Sequence, residues 1–207
     1  MTDLERIDLP LAAILRGLAP QEAAGVGRVL IDAGFGLLEV PLNRPGALDA
    51  IRILRAMAPP GSLVGGGTML TIADVDAVAD AGGQLFVSPN CNPAVIAHAV
   101  ERGLLCAPGV ATPTEAFMAL DAGAHVLKLF PAESIGPAGL KAMKAVLPEG
   151  TPLWPVGGVT PQQIGEWKKA GATGAGIGSQ LYTPGIALDE LARRAAAFAA
   201  AWRAQAN

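Results

Sequence analysis

Residues 31–43, IDAGFGLLEVPLN, decide how this chain is read. A glycine follows an amphipathic stretch and precedes an apolar run, the pattern of a helix C-cap leading into a strand. The pattern returns as ADAGGQ at 79–84, LDAGAH at 120–125 and KKAGAT at 168–173. The interval between repeats is that of a βα unit.

Working outward gives eight apolar runs: LAAILR (11–16), LLEVPLN (37–43), LVGGGT (63–68), LFVSPN (85–90), LCAPGV (105–110), VLKLFP (126–131), LWPVGG (153–158) and GAGIGS (174–179). Each precedes a helix-like segment, the last running from about Leu188 to Ala206. Helix starts are marked at APQEAA, TIADVD, TPTEAF and TPQQIG, where threonine or a first-turn proline suits an N-terminus. Alternating strand and helix implies a parallel sheet, and eight units imply a closed (β/α)8 TIM barrel more than an open doubly wound sheet. No linker or composition break divides residues 1–207, so one domain is expected. The 26 glycines and 17 prolines fall largely at unit junctions and read as turn chemistry.

Fifteen basic against 18 acidic residues give a net charge of −3, with three Trp, one Tyr and five Phe. That balance provides no electrostatic footprint for nucleic acid. Cys91 and Cys106 match no metal spacing and make no disulfide framework, which suits a reducing cytoplasm. The start MTDLERIDLP has no apolar signal core, and no uncharged run reaches membrane-spanning length. A soluble cytosolic protein that binds neither nucleic acid nor membrane is expected.

In HVLKLFP (125–131), alternation sets Val126, Lys128 and Phe130 on one face and Leu127 and Leu129 on the other. Lys128 is either an edge-strand lysine that snorkels to water or an amine desolvated until it is neutral and nucleophilic. Glu39 interrupts GLLEVPL in the same way, as an exposed strand-end acid or as a proton carrier facing Lys128. The strand ends also carry Arg16, Asn43, Thr68 and Asn90. A barrel lysine with a carboxylate and no metal cluster suggests imine chemistry on a ketone. Gly157–Gly158 and Gly178–Ser179 follow the last two strands, where barrels hold phosphate through backbone N–H groups. Arg16 suits a carboxylate, with Thr68 as a hydroxyl donor to the same group. His98, His125 and the cysteines read as structural, Phe198 and Trp202 as a helix packing stripe, and Lys141, Lys144, Lys168 and Lys169 as solvated faces.

The segments LAAILRG, LLEVPLN, GGGT, SPN, ATPTEAF, LKLFPAES, LPEGTPLWPVGGVTPQQI and GAGIGSQLY together resemble the class I 2-keto-3-deoxy-6-phosphogluconate and 6-phosphogalactonate aldolases, from about Leu11 to Gly185. The resemblance implies a (β/α)8 barrel, a homotrimer, and a reaction that needs no metal or other cofactor. It implies Lys128 as the Schiff-base lysine, Glu39 as general acid/base, Arg16 and Thr68 at the pyruvate carboxylate, and Gly158, Gly178 and Ser179 at the phosphate. The implied reaction is reversible cleavage of a phosphorylated keto-deoxy sugar acid to pyruvate and D-glyceraldehyde 3-phosphate. EVPLN, SPN with Asn90, and Val156 in PVGGV beside Gly157 resemble the galactonate branch. Val156 stands where the gluconate branch carries a threonine hydroxyl. Glu133 in FPAES looks more like the gluconate branch, and Gly66 stands where alanine is usual, read as loosening a turn. The competing readings are a gluconate or dual-epimer aldolase, a phospho-sugar isomerase or epimerase, and a non-catalytic sugar-phosphate binder.

Overall fold

The computed structural model describes residues 7–204; the reading of the first six residues, and of the last helix beyond Ala204, lies outside them. The order is β1 (Leu11–Ile14), α1 (Pro20–Asp32), β2 (Leu37–Pro41), α2 (Ala47–Met57), β3 (Leu63–Gly67), α3 (Ile72–Asp80), β4 (Leu85–Val87) and α4 (Pro93–Glu101). Then come β5 (Leu105–Ala107), β6 (Gly109–Val110), α5 (Pro113–Asp121), β7 (Leu127–Leu129), α6 (Ala132–Lys144), β8 (Leu153–Pro155), a 3-10 turn at Pro161–Gln163, α7 (Ile164–Ala170), β9 (Ala175–Ile177) and α8 (Leu188–Arg203). Every strand pair is parallel.

The result is an α/β fold with a curled parallel sheet and, among the described residues, eight α-helices. Six strands run in the order β5-β4-β3-β2-β1-β9 and three in the order β6-β7-β8. The fifth apolar run is split between the two because Pro108 has no N–H to give, yet its carbonyl still accepts from Lys128 N at 3.0 Å. At the other seam Val156 bridges Gly176 in parallel, and Thr173 N donates to Leu153 O at 3.1 Å.

Local chemistry sets the helix ends. Thr71 with Asp74, Thr112 with Glu115 and Thr160 with Gln163 form capping boxes, and Pro20 opens α1. Gly34, Gly82, Gly123 and Gly171 leave their helices at positive φ, as the repeated pattern requires.

Alternating strand residues join two different apolar clusters. Leu11, Leu38, Val64, Phe86, Leu127 and Leu153 pack outward against the helices. Ala12, Leu37, Leu63, Leu85, Leu105, Val126 and Trp154 pack together on the inner face. This two-sided burial explains why the strands read as continuous apolar runs.

Two expectations are corrected. Gly66 belongs to β3, not a turn, and a Cβ there would stand 2.6 Å from a Val78 methyl and 2.8 Å from Met69 Sδ. Lys168 is half-buried, not solvated: its Nζ donates to Trp202 O at 3.0 Å and sits 4.5 Å from the centre of a Trp202 ring. Phe198 and Trp202 are buried, as their spacing predicts.

Candidate active site

Lys128 lies at the middle of β7, which has β6 on one side and β8 on the other, so it is not on an edge strand. Register pairs it with Gly109 and Trp154, and it follows Val126 on the inner face, leaving only 7% of it exposed. The snorkelling alternative fails on both counts. Its Nζ is 5.0 Å from the centre of the Phe130 ring, within range of a favourable cation–π contact.

Glu39 occupies the centre of β2, in register with Ile14 and Gly65, and is 3% exposed. Its side chain crosses the backbone of β3 so closely that a Cβ at Gly67 would overlap the carboxylate. Glycine is therefore what lets this acid lie inside the sheet.

Burial pushes the Glu39 carboxyl above the usual carboxylate range, and the positive charges of Lys128 and Arg16 oppose that rise. Burial likewise pulls Lys128 below an ordinary lysine; Glu39 resists the fall and Arg16 adds to it. Desolvation leads in both residues, so each moves toward its neutral form. Together they supply an amine readily made nucleophilic and an acid able to hold or release a proton.

A cavity of about 320 Å³ opens at the C-terminal ends of β1, β7, β8 and β9. Arg16, Val156, Gly157, Gly158, Gly178 and Ser179 all line it, so six of the expected site residues are brought together. Gly157 and Gly158 turn at φ of 113° and 66°, conformations that only glycine adopts without strain. The N–H groups of Gly158 and Ser179 donate to no backbone carbonyl among the described residues. They remain available to an anion. Behind this turn, Arg194 of α8 reaches the Ser179 carbonyl at 3.5 Å.

Lys128, Glu39, Thr68 and Asn90 do not line that cavity, although Phe130, which lies against the Lys128 amine, does. Thr68, at the end of β3, takes a left-handed φ of 54°, a conformation that costs about 1–3 kcal/mol and is often kept where a side chain must be aimed. Asn90 is exposed on the loop after β4, where its carbonyl accepts the Ser88 hydroxyl at 2.6 Å.

Of the eight cavity residues that sequence reasoning did not single out as site residues, three carry chemistry of their own. Phe130 carries the cation–π contact, although its place two residues after Lys128 is a sufficient signal. Glu133 presses a carboxylate oxygen against the Gly157–Gly158 turn. Tyr182 has a buried hydroxyl with no hydrogen-bond partner among the described residues, and burial pushes its pKa up to about 12. Among the described residues no group of three His, Cys, Asp or Glu could hold a metal. No described helix is long and apolar enough to cross a membrane.

The sequence model for KDPG and KHG aldolase matches residues 6–195. The chain is 47% identical over 195 residues to the 2-dehydro-3-deoxy-6-phosphogalactonate aldolase of Escherichia coli (strain K12), covering 94% of this chain and 95% of that protein. It is 47% identical over 201 residues to the probable 2-dehydro-3-deoxy-6-phosphogalactonate aldolase of Rhizobium meliloti (strain 1021), covering 97% and 95%. A solved structure described as native KDPGal superposes with a TM-score of 0.94 at 46% identity, covering 96% of this chain and 97% of that one. With the match running through the strands that carry Glu39, Lys128 and both glycine turns, the chain belongs to the KDPG and KHG aldolase family.

Proposed function

We propose that this protein is a class I aldolase that reversibly cleaves 2-dehydro-3-deoxy-6-phosphogalactonate to pyruvate and D-glyceraldehyde 3-phosphate. The observation that carries the reading is the buried Lys128 of reduced basicity, set beside a buried Glu39 whose carboxyl is shifted toward its neutral form. The substrate follows from the two 47%-identical relatives, which bear the galactonate name.

In the proposed cycle the neutral Lys128 amine adds to the C2 ketone, and the carbinolamine loses water to give an iminium. The C3–C4 bond breaks as its electrons move toward the iminium nitrogen, while the C4 hydroxyl gives its proton to Glu39 and D-glyceraldehyde 3-phosphate departs. Glu39 then returns the proton to C3 of the enamine. Water hydrolyses the pyruvyl imine and restores the amine. Arg16 and Thr68 hold the carboxylate of the pyruvate portion; Gly157, Gly158, Gly178 and Ser179 hold the phosphate; Asn90 stands at the mouth. Val156 offers no hydroxyl at the C4 centre, which favours the galactonate epimer over one that needs a hydrogen bond there.

The two sheets are read as one closed (β/α)8 barrel forming a single domain, supported by the continuity through Pro108 and the Val156–Gly176 bridge. The protein is further proposed to act in the cytoplasm as a homotrimer, without a cofactor. The exposed apolar side chains of Leu70, Ile72, Phe117 and Met118 are suited to burial between copies.

The test is pyruvate release from the two pure C4 epimers, measured side by side. A kcat/KM larger for the galactonate epimer supports the reading. A larger value for the gluconate epimer would transfer the assignment to that substrate.

A further inference from the structure

The phosphate-side cavity contains one group with the wrong charge for its proposed ligand. A Cβ built at Gly157 would stand 2.4 Å from Glu133 Oε2, and one at Gly158 3.0 Å from the same oxygen. The carboxylate therefore rests on the Gly157–Gly158 turn, and Glu133 lines the same cavity as that turn. Among the described residues it makes no salt bridge and no side-chain hydrogen bond. It is exposed to solvent on its other side. It rides on the first turn of α6, which Gly136 separates from the remaining helix by a break at φ 70° and ψ 169°.

We infer that Glu133 is a built-in anionic competitor at the Gly157–Gly158 turn, one that sets how strongly this site prefers a phosphorylated aldehyde over an unphosphorylated one. This deepens the reading above and rests on its phosphate assignment. An incoming phosphate dianion meets the carboxylate at the turn and must displace it toward solvent, so part of the attraction from the free N–H groups is spent against repulsion. An uncharged aldehyde meets no such opposition. Glu133 thus acts as a specificity residue that narrows the advantage of phosphorylated substrates.

The test compares wild type with Glu133→Gln, and with Glu133→Ala as a second variant at this exposed position. Inorganic phosphate binding is titrated directly, and KM is measured for D-glyceraldehyde 3-phosphate and for D-glyceraldehyde in condensation with pyruvate. Removing one negative charge near a partly solvated dianion should tighten phosphate binding about three- to tenfold and raise the ratio of the glyceraldehyde KM to the glyceraldehyde 3-phosphate KM by a similar factor. Unchanged or weaker phosphate binding in both variants would overturn the inference, as would a rise in both KM values together, which would mark the carboxylate as an acceptor for substrate hydroxyls. The phosphate titration does not need turnover, so it reports on Glu133 even if the aldolase reading fails.

Discussion

Along the inner face of the sheet, the N-terminal half and the C-terminal half are built from opposite materials. The lower layer holds Leu37, Leu63, Leu85, Leu105 and Trp154, packed with Ala12 and Val126. Two residues beyond Leu37, Leu63 and Val126 on their strands stand Glu39, Gly65 and Lys128, with Gly109 in register with Lys128 and Gly67 further on. Large apolar side chains fill the first layer and stabilise the fold; small ones clear space in the second for two buried charges that do not. The difference teaches where stability and chemistry separate on one continuous surface.

The sharpest way to break that contrast is Lys128→Ala, which should lower turnover by about 10⁴-fold or more while the protein stays folded, since losing the nucleophile removes the covalent route altogether. Steady-state rates with circular dichroism as the folding control decide this. Glu39→Gln should lower kcat by about 10²- to 10⁴-fold, the range of a general acid/base. Single-turnover kinetics should place the loss in proton transfer, with imine formation still detectable.

The lower layer should respond in the reverse sense. Leu85→Ala should cost about 2–5 kcal/mol in denaturant unfolding and change kcat/KM far less than either charge variant. Conversely, the double variant Lys128→Met with Glu39→Met should leave stability unchanged or raise it by about 1–4 kcal/mol, because a buried charge pair often stabilises less than an apolar pair of similar volume. Loss of stability there would mean the upper layer also holds the fold together.

The smallest expected effect lies outside both layers: Thr112→Ala should cost about 1 kcal/mol through its helix cap. Acidity adds a check on the upper layer. With Lys128 held below the ordinary lysine value, imine formation should speed up as pH rises through its folded pKa and level off before free lysine titrates. Between those two values the unfolded chain binds a proton that the folded one does not, so this residue's contribution makes stability rise with pH across the same window. Urea unfolding at several pH values reads it, after subtraction of the same series for Lys128→Met.

Particular residues explain what was legible in the sequence. The glycines after α1, α3, α5 and α7 and the threonines before α3 and α5 encode their own turns, so the βα repeat is visible from IDAGFG onward. Lys128 stands out because alternation puts it with Val126, and a lone charge in an apolar run is easily seen. Glu133 escaped as a site residue because its importance depends on the first turn of α6 coming up against the turn after β8, a tertiary approach with no local signature. The fit of Glu39 over Gly67 is similar: GGGT shows three small residues, and the carboxylate crosses Gly67 although its register partner is Gly65, which only the tertiary packing reveals. Lys168 looked like a surface lysine because its partner, Trp202, lies 34 residues away.

The central claim is that Lys128 is a nucleophile and not merely a buried charge. Incubation with pyruvate and borohydride, followed by intact and peptide mass spectrometry, tests it most directly. A reduced pyruvyl adduct on the peptide containing Lys128, absent from Lys128→Ala, is the predicted result. A folded protein that acquires no adduct, or acquires it on another lysine, would contradict the account.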